Sequence, residues 1–158
     1  MTQDEAWRLF EYRDGVLYWR LSVNSRAQTG ASAGTLNRQL NRVYVRLHRK
    51  LYLRSRIVFL LHYGWLPDQV DHIDGNRAND RIENLRAATA GENQRNKRRQ
   101  SNNTSGVKNV RCKAKKWVVE LKVNGAPRYF GRYDDLELAE LVAIEARNKH
   151  HGAFANHV

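Results

Sequence analysis

The residues best suited to chemistry are concentrated between positions 70 and 94. Three short runs share this segment: Val70-Asp71-His72-Ile73-Asp74-Gly75-Asn76, Asp80-Arg81-Ile82-Glu83-Asn84-Leu85 and Gly91-Glu92-Asn93-Gln94. An imidazole has an ordinary pKa of about 6.5 and can therefore accept a proton at neutral pH. Carboxylate and amide oxygens suit a hard cation such as Mg²⁺ or Mn²⁺. The segment predicts a metal-assisted hydrolytic site, although each residue taken singly is more often an ordinary polar surface group.

Asp71 and His72 need a particular backbone shape to act together. Adjacent side chains of a regular strand point to opposite faces, so a twisted strand end must bring these two to one site. Asp74-Gly75-Asn76 predicts a sharp turn directly afterwards. The segment is not a calcium EF-hand, because that loop would place Val70, His72 and Arg81 where oxygen ligands belong.

The segment resembles the core of the HNH endonuclease family, particularly the phage and intron-encoded homing type, over about 25 residues. The resemblance implies two short strands and a helix around one divalent metal, Mg²⁺ or Mn²⁺, per active site. Asp71 and Asn93 would bind the metal, and His72 would be the general base that takes a proton from the attacking water. Asn84 would orient the His72 loop. Such a metal would bind the scissile phosphate and the leaving oxygen.

The first stretch of the chain, about residues 1–69, predicts strands followed by one helix. Four strands are expected there, at 9–12, 16–19, 43–47 and 51–53. Asp14-Gly15 lies between two apolar runs, which is a strong hairpin signal. The helix is expected to be capped by Ser55 and to end near Gly64.

The third stretch, about residues 104–158, predicts three strands and a helix. The strands are expected near 110–113, 117–123 and 128–133. Asp134 or Asp135 would cap the helix, and Gly152 would end it. Alternation makes one face of the sheet apolar, so the helix can cover it, and leaves the other face basic and open.

This third stretch resembles the ethylene-response-factor (Apetala-two) type of DNA-binding domain over about 50 residues. That family lays a three-stranded sheet in the major groove of DNA. The resemblance implies outward-facing DNA contacts at Arg111, Lys113, Glu120, Lys122 and Tyr129. We interpret Trp117 and Phe130 as core residues.

The charge of the chain indicates a polyanionic partner. Twenty-eight Lys and Arg oppose sixteen Asp and Glu, which gives a net charge of +12 and a pI near 10.3. Residues 94–132 hold twelve of the basic residues and one acid, a segregation that favours a nucleic-acid track. Lys97, Arg98 and Arg99 are expected to follow backbone phosphates, although a charge run is usually a solvated helix end. A basic protein that is merely soluble or touches anionic lipid is the alternative for the whole chain.

Together these patterns predict an α+β protein: N-terminal strands with a ββα-metal core, then a three-stranded antiparallel sheet with one packed helix. The expected division is a nuclease domain at 1–100 (β-rich segment 1–68, core 69–100), a linker at 101–106 and a DNA-binding domain at 107–158. We expect double-stranded DNA as the partner, no membrane, a monomer and a cytoplasmic location in a bacterial or phage-infected cell. The lone Cys112 and an N-terminus without a signal peptide favour that location.

Two functional hypotheses compete. The leading one is a homing-type endonuclease that hydrolyses DNA phosphodiester bonds. The alternative is a non-catalytic DNA-binding protein that retains an HNH scaffold. An RNA-binding protein is a third interpretation, but the sequence lacks the aromatic-rich motif of a common RNA module.

Overall fold

A computed structural model describes residues 1–157, which contain four α-helices and ten β-strands. The helices are α1 (Gln3–Leu9), α2 (Arg54–Tyr63), α3 (Ala90–Arg95) and α4 (Leu136–His151). The strands are β1 (Phe10–Arg13), β2 (Val16–Trp19), β3 (Thr35–Asn37), β4 (Arg42–Leu47), β5 (Lys50–Leu53), β6 (Gln69–His72), β7 (Leu85–Ala88), β8 (Val110–Lys113), β9 (Lys116–Val123) and β10 (Ala126–Tyr133). Helices with small antiparallel sheets confirm the predicted α+β class.

Contacts along the chain divide it into a first unit, residues 1–89, and a second unit that begins at Ala90. The short helix α3 therefore groups with the second unit. The division predicted from sequence at residues 100–107 stays a prediction.

In the first unit the strands form two hairpins and one three-stranded sheet. β1 pairs with β2, β6 pairs with β7, and the sheet has the order β3-β4-β5. In β4 the side chains of Val43, Val45 and Leu47 are buried while those between them are more exposed, as the alternation predicts. The core also takes in Phe10, Leu17 and the apolar residues of α2.

The start of α2 differs from the prediction. The helix begins at Arg54, and its N-cap residue Leu53 makes no side-chain capping bond. Ser55 is therefore not the cap; it lies inside the helix and is 4% exposed. The reason is that β5 runs directly into α2, which leaves no loop residue to act as a cap. The predicted end is confirmed, since Gly64 takes a left-handed conformation with φ +76°.

Two elements of the first unit were not predicted. The side chain of Thr2 caps α1 by accepting a hydrogen bond from the Glu5 N–H, and the predicted hairpin follows with its first strand shifted by one residue to β1. All three residues of the short strand β3 are exposed, so no hydrophobic period marks it.

The second unit is a three-stranded sheet of order β10-β9-β8 with α4 packed on one face. Asp135 caps α4 by accepting from the Leu138 N–H at 2.9 Å, and Gly152 follows its last residue, as predicted. Trp117 and Phe130 pack against the core, which confirms their assignment. α4 is the longest helix at 16 residues, and no helix within residues 1–157 has the length and apolar character needed to span a membrane.

Candidate active site

The end of β6 carries the two residues that the motif places at the centre of the chemistry. β6 pairs antiparallel with β7, so Asp71 lies opposite Arg86 and His72 lies opposite Leu85. Asp71 and His72 are each 4% exposed. Burial of two such polar groups at a strand end is costly unless each is hydrogen-bonded, and both are.

Asp71 forms an ion pair with Arg86 across the hairpin. Nε and a terminal nitrogen of Arg86 lie 2.8 and 2.7 Å from Oδ2 of Asp71. The guanidinium compensates the buried carboxylate and fixes its orientation. Sequence reasoning missed Arg86, although its place opposite Asp71 would follow from the register of the hairpin.

His72 contacts a second buried carboxylate. Its Nε2 lies 2.8 Å from Oδ1 of Asp80, and the other carboxylate oxygen of Asp80 accepts from Nε of Arg54 at 2.8 Å. Arg54 also donates to the carbonyl of Ala78. Sequence reasoning quoted Asp80 within the motif but gave it no role, and it missed Arg54, which is 26 residues away along the chain.

The loop between β6 and β7 is cross-linked by Asn84. The side-chain amide of Asn84 donates to Asp74 and to the carbonyl of Asn79, and its oxygen accepts from the Asp74 N–H at 3.0 Å. The Ile73 N–H donates to the Asn84 carbonyl, and the Gly75 N–H donates to the His72 carbonyl. The predicted turn after His72 is present and held at both ends.

Asp74 is the main acceptor of this loop. It receives hydrogen bonds from the Asn76 N–H and from the amides of Asn79 and Asn84. Burial opposes ionisation of Asp74, but the bonds from Asn79, Asn76 and Asn84 together hold its pKa below the ordinary value. A charged acceptor therefore organises the loop at neutral pH.

The residues that the motif assigns to the metal supply hard donors. Asp71 offers a carboxylate in the first unit, and Asn93 offers a side-chain amide on α3. No group of three or more His, Cys, Asp and Glu side chains in residues 1–157 is arranged to hold a metal ion. Carboxylate and amide oxygens are the kinds of donor that Mg²⁺ and Mn²⁺ accept.

In the second unit the basic run after α3 lines a cavity of about 480 Å³. Six basic residues and no acid line it: Arg95, Lys97, Arg98, Arg99, Lys108 and Lys122. The three residues predicted to follow backbone phosphates are thus gathered with three more basic groups. Such a concentration of positive charge is suited to a polyanion.

Lys108 has a structural role in this cavity. Its ammonium group donates to the carbonyls of Arg95, Lys97 and Asn156. Burial, with a smaller contribution from Arg147, lowers the pKa of Lys108 to about 8. Lys108 therefore joins three segments of the second unit.

The five predicted DNA contacts of the sheet share one face. Arg111, Lys113, Glu120, Lys122 and Tyr129 all lie on the side away from α4. Tyr129 pairs with Glu120 across the strands, and Arg111 forms an ion pair with Glu120 at 2.6 Å. Three of the five are basic, and Glu120 is the one acid among them.

Arg132 joins this face because of a β-bulge. The register shifts between Tyr129 and Gly131, so Arg132 lies opposite Val118, as Arg111 does on the other edge. Simple alternation from Tyr129 would have placed Arg132 on the core side. Gly131 has a φ of +134°, and a Cβ there would collide with the Tyr133 ring. Gly131 was the feature of the sequence that could have indicated the bulge.

Comparisons with known proteins support the motif. A family model described as HNH endonuclease matches residues 52–95, which include Asp71, His72, Asn84 and Asn93. Protein 3.8 of Escherichia phage T7 is 35% identical over 88 residues, which are 54% of this chain and 72% of that protein. The family model does not extend beyond residue 95, so the Apetala-two resemblance stays a prediction. No solved structure matches the chain significantly.

Proposed function

Because the chain belongs to the same family as Protein 3.8 of phage T7 and contains an HNH endonuclease domain, we propose that it is a metal-dependent, homing-type DNA endonuclease. It hydrolyses phosphodiester bonds of double-stranded DNA with His72 as general base. The observation that carries the proposal is the buried, hydrogen-bonded His72 at the end of β6, next to Asp71 and inside the matched segment.

The imidazole of His72 is held in one orientation, as a general base requires. A general base must be held within hydrogen-bond reach of the proton that it removes, and its position contributes about 10²–10⁴-fold in rate. The strand end, the Asn84 cross-links and the contact with Asp80 all restrict the ring. His72 takes the proton of the water that attacks phosphorus.

The metal belongs to the same proposal. Asp71 and Asn93 would hold Mg²⁺ or Mn²⁺, and the bound ion supplies charge neutralisation for the phosphate and the leaving oxygen. Arg86 orients the Asp71 carboxylate. Asn84 keeps the loop after His72 in shape and acts on the reaction through that loop.

The second unit would choose and hold the DNA. The outward face of the sheet offers Arg111 and Glu120, which can contact guanine and cytosine edges, and Lys113, Lys122 and Tyr129 beside them. Lys97, Arg98 and Arg99 would follow the phosphate backbone. A three-stranded sheet backed by α4 is the arrangement that the Apetala-two resemblance implies.

Supercoiled plasmid tests the proposal. With Mg²⁺ the purified chain should nick or linearise the plasmid, and with EDTA it should not. His72→Ala should lower the rate by about 10²–10⁴-fold while DNA binding in a gel shift is kept. The matched control is His48→Asn, in the exposed turn between β4 and β5, where φ is +47° and asparagine is tolerated.

The outcome separates the two functional hypotheses. Cleavage that survives in EDTA, or that is equal in the His72→Ala protein, would show that the site has been assigned wrongly. DNA binding without any cleavage in Mg²⁺ or Mn²⁺ would favour the non-catalytic DNA-binding protein.

A further inference from the structure

The buried carboxylate of Asp80 connects the candidate base to a guanidinium. The side chains of Asp80, His72 and Arg54 are 1%, 4% and 12% exposed. Oδ1 of Asp80 lies 2.8 Å from Nε2 of His72, and Oδ2 lies 2.8 Å from Nε of Arg54. The roles implied by the HNH resemblance fall on Asp71, His72, Asn84 and Asn93 and not on Asp80.

The two hydrogen bonds that link Arg54, Asp80 and His72 allow only one assignment of donors and acceptors. A guanidinium only donates, so Oδ2 of Asp80 accepts from Arg54. An ionised carboxylate also only accepts, so Nε2 of His72 must carry a hydrogen and donate it to Oδ1. In a neutral imidazole the lone pair is then on Nδ1.

We propose that Asp80 is a positioning residue that holds His72 as the Nε2–H tautomer and so makes Nδ1 the atom that accepts the proton of the attacking water. The inference rests on the proposed function, because it names the atom through which His72 acts. Arg54 keeps the Asp80 carboxylate in place.

The surrounding fold holds Asp80 against displacement. The turn of the β1–β2 hairpin packs on the Asp80–Arg81 backbone: a Cβ on Gly15 would lie 2.8 Å from the Arg81 nitrogen. The next peptide is also tied down, since the Ile82 N–H donates to the Tyr12 hydroxyl at 3.0 Å. A fixed carboxylate can impose a tautomer on a neighbouring ring, whereas a mobile surface carboxylate cannot.

The ring nitrogens of His72 provide a direct test in the wild-type chain without metal. Protonated and unprotonated imidazole nitrogens have well-separated ¹⁵N chemical shifts, so histidine-labelled protein at about pH 8.5, where an ordinary imidazole is neutral, reports the tautomer. The chain has six histidines, and the signals of His72 are identified as those missing from a His72→Gln sample. We expect the hydrogen on Nε2. A hydrogen on Nδ1 would overturn the proposal, and this measurement requires no Asp80 variant to fold.

Asp80→Asn should invert the tautomer. Asparagine has one side-chain oxygen, and the charged Arg54 takes it, since charge-assisted hydrogen bonds are the stronger ones. The amide then donates to Nε2, and the hydrogen of the ring moves to Nδ1. In a serine protease triad the equivalent exchange lowers kcat by about 10⁴-fold because the histidine is held as the wrong tautomer. We expect plasmid cleavage to fall by about 10²-fold or more.

A double variant distinguishes a loss of cleavage caused by the wrong tautomer from a loss caused by lower stability. With Arg54→Met added to Asp80→Asn, the oxygen of the introduced amide is released to accept from Nε2 of His72. The Nε2–H form should return, and cleavage should exceed that of the single variant. Val58→Ala, in the buried core of α2, controls for lost stability and should keep the wild-type tautomer.

The outcomes are distinguishable from failure of the proposed function. A folded Asp80→Asn chain with the wild-type tautomer and rate, or a double variant no faster than the single one, would contradict the role of Asp80. A wild-type chain that fails to cut DNA would refute the nuclease proposal while the tautomer measurement still reports whether Asp80 sets the ring.

Discussion

The loop between β6 and β7 and the outward face of the β8–β10 sheet use polar side chains in opposite ways. At the end of β6 and in the loop that follows it, Asp71, His72 and Asp80 are almost fully buried, and each forms an ion pair or hydrogen bond with another side chain. On the sheet, the side chain of Arg111 is 60% exposed and Tyr129 is 62% exposed.

This difference in burial matches the different requirements of bond cleavage and of nucleic-acid binding. Bond cleavage needs groups held in one geometry and screened from water, and the loss of one buried partner is therefore severe. Nucleic-acid binding sums many exposed charges that salt screens, so each contributes a small share. Substitutions should therefore affect the rate sharply in the loop and affinity gradually on the sheet.

The largest effect is expected at Asp71. Asp71→Asn keeps an oxygen for Arg86 but removes the negative charge that the proposed metal would require. Charge stabilisation by a bound ion is worth several kcal/mol, so cleavage at a fixed Mg²⁺ concentration should fall by about 10²-fold or more. Affinity for DNA in EDTA should stay close to that of the wild type.

Metal titrations of cleavage, with gel shifts in EDTA, make this comparison. Asp68→Asn is the matched control, because Asp68 is an exposed carboxylate just before β6. Equal cleavage by wild type and Asp71→Asn at every Mg²⁺ concentration would remove Asp71 from the metal site.

Much of the fold was predictable because its signals are local. The Asp14-Gly15 turn, the alternation in β4 and β9, and the glycine that ends α2 each depend on a few neighbouring residues. β3 and the start of α2 were not predictable in this way. β3 has no buried side to give it a period, and α2 begins without a capping side chain.

The site was predictable as a motif but not as a network. Asp71, His72, Asn84 and Asn93 lie within the one short segment that the family model matches, and their roles stay a prediction. The pairing of Asp80 with Arg54 depends on the packing of α2 against a loop that comes later in the chain, which no local pattern encodes. On the sheet, the bulge before Gly131 places Arg132 on the outward face, where simple alternation from Tyr129 would not have placed it.

On the sheet the expected effects are smaller and of two kinds. Arg111→Ala should cost about 1–3 kcal/mol of binding at one base position, because arginine can bind a guanine edge with two hydrogen bonds. Lys122→Ala should weaken all sequences alike and reduce the salt slope of binding by about 0.9. Competition binding on a selected site, at several salt concentrations, measures both.

Lys149→Ala controls for the loss of a positive charge, because Lys149 lies exposed on α4, which packs on the other face of the sheet. If Arg111→Ala, Lys122→Ala and Lys149→Ala all have the same small effect, the outward face does not contact DNA and the Apetala-two resemblance has no functional meaning here.

The first and second units should also differ in how pH affects their stability. The pKa of Asp74 lies below its ordinary value, so its contribution is present at neutral pH and is lost as pH falls through the folded-state pKa. Burial lowers the pKa of Lys108 from 10.5 to about 8, so the unfolded chain holds more protons between those values. Stability of the second unit therefore gains from Lys108 as pH rises above about 8.

Lys108→Met tests this last and smallest effect, which concerns stability alone. The wild-type second unit should become more resistant to urea between about pH 7 and about pH 9, and the variant should lose that dependence because methionine cannot titrate. Hydrogen-exchange mass spectrometry of α4 peptides across a urea series measures it for this unit separately. Lys149→Met should behave like wild type. The same rise in the Lys108→Met chain would assign the pH dependence to another group. The half-buried ammonium of Lys108 would then be held at no cost by its three carbonyl partners.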